Sequence, residues 1–490
     1  MAHRGRRWLF IVHRWVGIVT CLFFATWFVS GLVMIYVPFP SLAQAERLAG
    51  LPAIDWRQVA IQPAALLGPT APPRTMTLEM REPVAVWRMT AWDGAQRIVS
   101  ARDGRVLGPA DAAEARRIAE DFGQAPVRAM EQVARDQWTV AGGFDKHRPL
   151  WKASLAGPGG RMLYVSSRTG AVVLDTAMEE RFWNWLGSVP HWIYPTVLRQ
   201  DNAAWRQVVM WTSGTCIVAA ITGFWIGVLR LRPGRRRFRS GRMTAYSGWM
   251  KWHHVAGLTG GIFLIAFIIS GWLSVDPFRM FESGGVSQAA RIAYLKAGPL
   301  PAIDLAALAR RAASAKQIEL AWYAGRPILL VRRATGAEAV LGPTTLTRAR
   351  IDERALILAA SRLVPGVPLA GVERLTAPDY HWYAVHGPTR LPILRLRFAD
   401  AAATWVHIDP TTGQIMDDID RRRRLYRTVF DLLHRWDLNA LILHRPARDL
   451  LLWTLSLLGL VTSSSGIVVG WRRLRRAPAR RAASMQLGSG

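Results

Sequence analysis

Residues 13–35 read HRWVGIVTCLFFATWFVSGLVMI, and residues 253–275 read HHVAGLTGGIFLIAFIISGWLSV. Both stretches begin with histidine, carry glycine four residues later, and place a Ser-Gly pair at the same distance from the start. The register is constant at an offset of 240 residues. Repetition of a long apolar run, with histidine, glycine and serine at the same positions, predicts two copies of one structural unit.

Charge-free apolar windows of 21 or 22 residues occur at Val16–Val37, Val208–Leu229, Val255–Val275 and Leu450–Trp471. A helix of this length crosses about 30 Å of hydrocarbon. The sequence therefore predicts four transmembrane helices. With 51% hydrophobic residues and a mean hydropathy of +0.11, the 490 residues do not suit three soluble domains.

The net charge of +29 is distributed unevenly. Segments 1–15, 230–251 and 472–490 hold 18 basic residues and no acidic residue, which leaves 29 − 18 = +11 for the rest. The positive-inside rule places these segments and both termini in the cytoplasm. Membrane lipid is then the expected partner of these basic segments, and binding to nucleic acid is not needed to explain the net charge.

A second set of repeats supports the duplication. Residues 164–170 (YVSSRTG) match residues 407–413 (HIDPTTG) at an offset of 243, and His191 then falls on His434. We therefore predict a membrane α+β fold. It is built from a duplicated unit of helix, outer α+β domain and helix, with parallel pseudo-two-fold symmetry about the membrane normal.

The predicted organisation has eight parts. They are the cytoplasmic N-terminus and first span (1–37), a first outer domain (38–204), the second span (205–230), a basic loop (231–251), the third span (252–276), a second outer domain (277–447), the fourth span (448–472) and a basic tail (473–490).

Local patterns within the outer domains predict strands and helices. Strands that close on Thr-Gly turns are expected at Met162–Val165 and Ala403–Ile408. Helical spacing is found at Ala110–Glu120, Glu131–Asp136, Leu305–Ala315 and Glu353–Arg362.

Histidines at equivalent membrane positions are the candidate ligands. His13 and His253 lie near the cytoplasmic ends of their helices, with Gly17 and Gly257 one turn further on the same face. Glycine leaves room for a flat macrocycle, and one imidazole from each side is what six-coordinate haem iron requires. With two cysteines the chain has neither a cysteine-rich metal site nor a covalent haem attachment motif.

His191 and His434 form a second candidate pair, near the outer surface, so the sequence predicts two non-covalent b-type haems with bis-histidine ligation. Basic residues suited to the haem propionates are Arg14, His254, Arg199 and Arg435.

Alternatives stay open at this point. His254 could replace its neighbour His253, and His444 could replace His434. The glycines could serve close helix packing alone. Asp379–Trp382 and His386 could contact an electron acceptor, or belong to a solvated loop.

The motifs together resemble the PepSY-associated transmembrane family. The resemblance rests on the HRWVG helix at 13–17, the WHHVAG helix at 252–257 that ends SGWLSVDP, the VHIDPTTGQ stretch at 406–414 and LLHRW at 432–436. It implies PepSY-like periplasmic domains and a likeness to di-haem ferric-siderophore reductases. His13, His253, His191 and His434 would then match the family's haem-binding histidines, and a ferric chelate would be the periplasmic acceptor.

No nucleotide-binding motif occurs in the sequence, so the expected donor is a cytoplasmic reductant or a quinol. A competing hypothesis is a non-enzymatic PepSY module that binds or regulates a protein such as a peptidase. A transporter is disfavoured, because four helices leave little room for alternating access and the charge-free apolar windows hold no acidic residue.

Overall fold

The computed structural model describes residues 2–67, 72–234, 237–238, 241–295, 300–336, 338–384 and 387–486. The chain forms two compact units. The helical unit comprises Met1–Phe39, Phe182–Glu282 and Leu425–Gly490, and the sheet unit comprises Pro40–Arg181 and Ser283–Arg424. Both units therefore contain residues from both halves of the sequence.

The α-helices of the described residues are numbered along the chain. They are α1 (Ala2–Met34), α2 (Gln44–Gly50), α3 (Ala112–Gly123), α4 (Met178–Leu186), α5 (Ser188–His191), α6 (Thr196–Arg199), α7 (Asn202–Arg230), α8 (Gly248–Thr259), α9 (Gly261–Leu273), α10 (Gln288–Leu295), α11 (Leu305–Arg311), α12 (Glu353–Ala360), α13 (Arg421–Tyr426), α14 (Leu433–Arg435), α15 (Asn439–Leu443) and α16 (Arg445–Gln486).

The strands are numbered in the same way. They are β1 (Thr75–Arg81), β2 (Val84–Thr90), β3 (Gln96–Ser100), β4 (Val127–Val133), β5 (Leu150–Leu155), β6 (Met162–Ser166), β7 (Val172–Thr176), β8 (Gln317–Tyr323), β9 (Arg326–Arg332), β10 (Glu338–Leu341), β11 (Leu369–Leu375), β12 (Ile393–Phe398), β13 (Trp405–Ile408) and β14 (Ile415–Ile419).

Three helical segments are long and apolar enough to cross a membrane, namely Arg4–Met34, Asn202–Arg230 and Arg445–Arg475. Helices α8 and α9 pass the same test only as a pair, which is bent by 68°. The described residues thus provide three spans, or four if the bent pair counts as one. The continuous third helix expected from the sequence is interrupted at Gly260.

Two glycines at the bend bring neighbouring helices close to the backbone. A Cβ atom on Gly261 would lie 2.5 Å from Cδ2 of Phe224 in α7, and one on Gly260 would lie 3.1 Å from Cβ of Leu458 in α16. Side chains at these positions would push α7 and α16 away. Close packing around the bend therefore depends on the Gly-Gly pair.

The core of the helical unit is formed by α1, α7 and α9. Phe24 and Phe28 of α1 pack with Cys216 and Ala219 of α7 and Ile268 of α9. Helix α16 packs against α1 and α8. These contacts bring all four predicted spans into one bundle.

The sheet unit contains a six-stranded antiparallel sheet in the order β10-β9-β8-β1-β2-β3. Its central pair joins β1 of the first outer segment to β8 of the second, with Met76 opposite Leu320. Met76, Leu78 and Leu320 are buried in one hydrophobic core. The sequence predicted one domain for each outer segment; in the structure, strands of both segments complete the same sheet.

Each outer segment also supplies a four-stranded antiparallel sheet, β4-β5-β6-β7 in the first and β11-β12-β13-β14 in the second. The hairpins predicted around Thr-Gly turns are present, with Gly170 and Gly413 at φ +66° and +70°. Helix α3 covers the first sheet, and α12 packs in the core of the second.

The helix predicted at Glu131–Asp136 is wrong. Residues Val127–Val133 form strand β4, which pairs with β5 and ends with Val133 opposite Leu150. Pairing with a neighbouring strand outweighs the helical propensity of Glu, Gln and Ala in this segment.

Candidate functional site: two histidine pairs

The first histidine pair consists of His13 in α1 and His253 in α8, whose ring centroids lie 6.3 Å apart. Nδ1 of His13 is 3.1 Å from the carbonyl oxygen of Ala219. Nδ1 of His253 is 2.9 Å from the carbonyl oxygen of Thr462. Each Nδ1–H donates to a carbonyl of an adjacent helix, so the ring orientation and tautomer are fixed and Nε2 is left as the basic nitrogen.

Glycine on an adjacent helix makes room for each of these imidazoles. A Cβ atom on Gly223 would lie 2.5 Å from Cε1 of His13, and one on Gly466 would lie 3.2 Å from Cε1 of His253. Real Cβ atoms do not approach a ring carbon as closely as the first distance. Gly223 is therefore required for the position of His13.

The glycines singled out from the sequence are less constrained. A Cβ atom on Gly17 would lie 3.8 Å from Cε1 of His13, and one on Gly257 would lie 3.4 Å from Thr462. Both are ordinary van der Waals distances. Sequence reasoning did not connect Gly223 and Gly466 with the histidines, because the spacing of residues along one helix does not show which residues of another helix it contacts.

The second histidine pair consists of His191 at the end of α5 and His434 in α14, with ring centroids 6.1 Å apart. Nδ1 of His191 lies 3.0 Å from Oγ of Ser30, and Nδ1 of His434 lies 3.1 Å from Oγ of Ser270. Nδ1 of His434 also lies 3.1 Å from the carbonyl oxygen of Phe267. As in the first pair, Nδ1 of each histidine is therefore held by a hydrogen bond to an oxygen of another segment.

Glycine again lies against both rings. A Cβ atom on Gly31 would be 3.2 Å from Cε1 of His191, and one on Gly271 would be 3.3 Å from Cε1 of His434. The ring of Phe430 stacks on His434 with centroids 5.3 Å apart. The Ser-Gly pairs recognised in the repeat are therefore the residues that seat the second histidine pair.

The neighbours of the four histidines lie at the repeat offsets found in the sequence. They are Ser30 and Ser270, Gly31 and Gly271, Ala219 and Thr462, and Gly223 and Gly466. The first two couples are 240 residues apart and the last two are 243 apart.

The separation of the rings suits a metal ion between them. A bond from imidazole nitrogen to metal is about 2 Å long, and the ring centre lies roughly 1 Å beyond the nitrogen, so two axial imidazoles place their centroids about 6 Å apart. Both pairs have this spacing. Groups of three or more His, Cys, Asp or Glu suited to a metal do not occur among the described residues. Each pair therefore offers two imidazoles as potential ligands.

The alternative histidines are placed differently. His254 is buried, with Nδ1 2.8 Å from Oγ1 of Thr244 and Nε2 2.9 Å from the carbonyl oxygen of Gly227. Both ring nitrogens of His254 are thus occupied by hydrogen bonds. His444 is exposed and lies at the end of α15. The structure brings His253 and His434, and neither of these alternatives, to the partner histidines.

The arginines proposed for haem propionates differ in availability. Arg14 is exposed. The guanidinium of Arg199 lies over the rings of Tyr194 and Trp205 at 5.2 and 4.7 Å. Arg435 is paired with Asp431 at 3.1 Å. Arg199 and Arg435 therefore already have partners within the protein.

Outside the helical unit, the candidate acceptor segment takes part in a polar cluster. The carboxylate of Asp379 accepts two hydrogen bonds from Arg395, at 2.6 and 2.9 Å, and Nε of Arg395 donates to Nε2 of His407 at 2.9 Å. The ring of Trp382 stacks on His407. His386 lies outside the described residues. The side chains of Asp379 and Trp382 therefore pack against residues of β12 and β13 in the second four-stranded sheet.

The first four-stranded sheet carries a corresponding cluster. The hydroxyl of Tyr164 donates to the Asp136 carboxylate at 2.6 Å, and Nζ of Lys152 lies 3.8 Å from the same oxygen. Asp136, Lys152 and Tyr164 precede Asp379, Arg395 and His407 by 243 residues each.

Comparison with known proteins agrees with this architecture. Residues 10–328 match the family described as the PepSY-associated TM region. The matched range contains His13, His191 and His253 and ends before His434. Neither a curated protein nor a solved structure matches the chain.

Proposed function

The chain belongs to the PepSY-associated transmembrane family, and from that premise we propose that it is a haem-binding electron-transfer protein of a bacterial inner membrane. Two b-type haems, one at each histidine pair, would supply the one-electron chemistry. The observation that carries the proposal is the separation of the imidazole centroids, 6.3 Å and 6.1 Å.

We further infer that the two halves are copies of one ancestral unit. Support comes from the seats of the histidines, where residues of the same or similar size recur at constant offsets. A parallel duplication places each histidine opposite its own counterpart, His13 against His253 and His191 against His434. The repeat itself thus supplies the two imidazoles that would hold each haem.

The chain's own residues would hold and orient the cofactor. Carbonyl oxygens of Ala219 and Thr462 and the hydroxyls of Ser30 and Ser270 fix the Nδ1 side of the imidazoles. Partners of this kind increase the basicity of the ligating nitrogen. The adjacent glycines keep side chains away from the ring edges.

The proposed electron path runs from the cytoplasmic side or the quinol pool to a ferric chelate outside. The basic segments 1–15, 230–251 and 472–490 orient the chain with both termini in the cytoplasm. The donor gives one electron for each Fe(III) reduced to Fe(II). Reduction weakens the hard oxygen ligands of a siderophore, which would release the iron.

An absorption spectrum of the full-length protein in detergent, oxidised and then reduced with dithionite, tests the cofactor directly. We expect a Soret band, a sharp α-band on reduction and two haems per chain. Replacing His13, His191, His253 or His434 with Ala, one at a time, should leave one haem. His444→Ala, a matched control at an exposed histidine, should keep both, and so should His254→Gln.

Folded protein without a Soret band after haem-replete expression would sink the proposal and favour the non-enzymatic module that binds a protein partner. Loss of haem in His254→Gln, with full haem content in His253→Ala, would show that His254 is the ligand and that our assignment to His253 is wrong. Ferric-chelate reduction is then measured with an Fe(II)-trapping dye, using reduced protein and the same variants.

A further inference from the structure

A cavity of about 280 Å³ lies in the first half of the sheet unit. Its lining includes Arg47 of α2, Arg88 of β2, Gln96 of β3, His147 and Thr169. No acidic residue contributes to the wall. The cavity is small, but it brings two guanidinium groups, an amide and an imidazole together, which is the polar arrangement of a ligand site.

The two arginines share a single carboxylate. Glu79, which is 1% exposed, accepts from Arg47, from Nε of Arg88 at 2.9 Å and from Gln317 at 2.7 Å. Burial opposes ionisation of Glu79, but the guanidinium groups outweigh it and hold its pKa at about 2. One carboxylate cannot neutralise two guanidinium groups, so one positive charge remains beside the cavity.

Two further polar groups in the wall lack strong partners. The side-chain oxygen of Gln96 is buried and has no hydrogen-bond partner among the described residues. His147 makes one side-chain contact there, from Nδ1 to Oγ of Ser166 at 3.3 Å. Burial and the nearby cations Lys146, Arg88 and Arg168 lower the pKa of His147 to about 4, which indicates positive potential at this point.

The second half shows how the same place is filled when acidic residues are present. Glu338, Arg390 and Asp409 lie 242, 243 and 243 residues after Gln96, His147 and Ser166. Nε of Arg390 donates to Asp409 at 2.5 Å, and its Nη2 lies 3.0 Å from Glu338. In the second half, the corresponding place is therefore occupied by Arg390, whose guanidinium group is bound by two carboxylates of the protein.

We propose that the cavity in the first half binds a small organic acid, whose carboxylate takes the place that Glu338 and Asp409 occupy in the second half. The ligand carboxylate pairs with Arg47 and Arg88, since guanidinium groups match carboxylates bidentately. The Gln96 amide turns its nitrogen toward the ligand, and Nε2 of His147 donates to it. This site is independent of the histidine pairs and of the proposed electron transfer.

Calorimetric titration of the full-length protein in detergent with citrate and with succinate tests the proposal. We expect saturable binding of one molecule per chain. Gln96→Glu places a carboxylate where the second half has one, so it should compete for the arginines and weaken binding at least tenfold. Gln132→Glu adds the same charge at an exposed position on β4 and should bind as the unaltered protein does.

Gln96→Leu gives a second measure, because it removes a side-chain oxygen that is buried without a partner and so should not destabilise the fold. It should weaken binding while thermal stability is kept. Absence of saturable binding, or equal affinity in the unaltered protein and Gln96→Glu, would overturn the proposal. Equal weakening by Gln132→Glu would do the same, since it would show a general effect of charge.

Discussion

The two halves of the chain agree closely around the histidines and differ in the four-stranded sheets. Serine and glycine neighbours of the second histidine pair are identical in both halves. In the sheets, Tyr164 and Lys152 stand where the second half has His407 and Arg395. Each histidine faces its own counterpart in the other half, so both members of a pair serve one site. Tyr164 and Arg395 instead contact Asp136 and Asp379 of their own halves, so each sheet can change without the other.

The largest expected effect is loss of haem at the first histidine pair, where the glycines of the two halves approach the rings to different distances. Gly223→Ala puts a methyl group 2.5 Å from the His13 ring, whereas at Gly466 the corresponding distance to His253 is 3.2 Å. We expect Gly223→Ala to lose the haem of the first pair and Gly466→Ala to keep most of it. Haem per chain, by pyridine haemochrome assay, measures both.

Gly17→Ala is the matched control, since its methyl group would lie 3.8 Å from His13. It should keep two haems. Similar losses in all three variants would indicate that helix packing in general, and not the seat of one imidazole, decides haem content.

The next prediction concerns the polar clusters of the two sheets. Arg395 has a side chain 4% exposed, and its loss leaves Asp379 with the backbone N–H groups of His381 and Trp382 but no cation. Because Asp379 is one-third exposed, loss of its hydrogen bonds to Arg395 should cost about 2 kcal/mol, so Arg395→Leu should raise the rate of hydrogen exchange in β12 and β13 about 30-fold. Lys152 pairs with the exposed Glu131, and Lys152→Leu should cost at most about 1 kcal/mol.

Hydrogen exchange followed by mass spectrometry compares the variants, with peptides from β5 and β12 as readouts. Equal destabilisation of the two sheets would show that the clusters are energetically equivalent despite their different residues.

The smallest effect is a difference in acid sensitivity. Burial, together with Arg395 and His381, lowers the pKa of His407 to about 3, although Asp379 acts in the opposite direction. Unfolded histidine titrates near 6.5, so between these values the unfolded state binds more protons. Burial of the neutral His407 ring therefore costs no stability above about pH 6.5, and the second sheet loses stability progressively as the pH falls from 6.5 toward 3.

Transplanting the residues of the first sheet should remove this dependence. We compare the unaltered protein with the double variant Arg395→Lys, His407→Tyr. Between pH 7 and pH 5, the protection of β13 from hydrogen exchange should fall about tenfold more in the unaltered protein. Tyr164, which occupies the equivalent place in the first sheet, has its pKa raised by burial and by Asp136. Identical pH profiles for β13 would contradict the assignment to His407.

Much of the architecture could be predicted from the sequence because hydropathy and spacing are local signals. Apolar length indicated the spans, and the repeat offsets predicted which histidines meet. Other features depend on distant partners. The pairing of β1 with β8, the bend at Gly260 and the position of Gly223 against His13 all require contacts between remote segments. Strand β4 was missed for the same reason, because pairing with β5 decides its conformation.

The joint sheet has a consequence for synthesis. Glu79 of β1 bonds to Gln317 of β8, 238 residues later in the chain. At about 5 to 20 residues per second, the ribosome needs roughly 10 to 50 s to deliver that partner. During this time the edge of β1 is open to incorrect pairing. A charged side chain on an unpaired strand discourages such association, so we expect Glu79 to limit incorrect pairing until Gln317 is made.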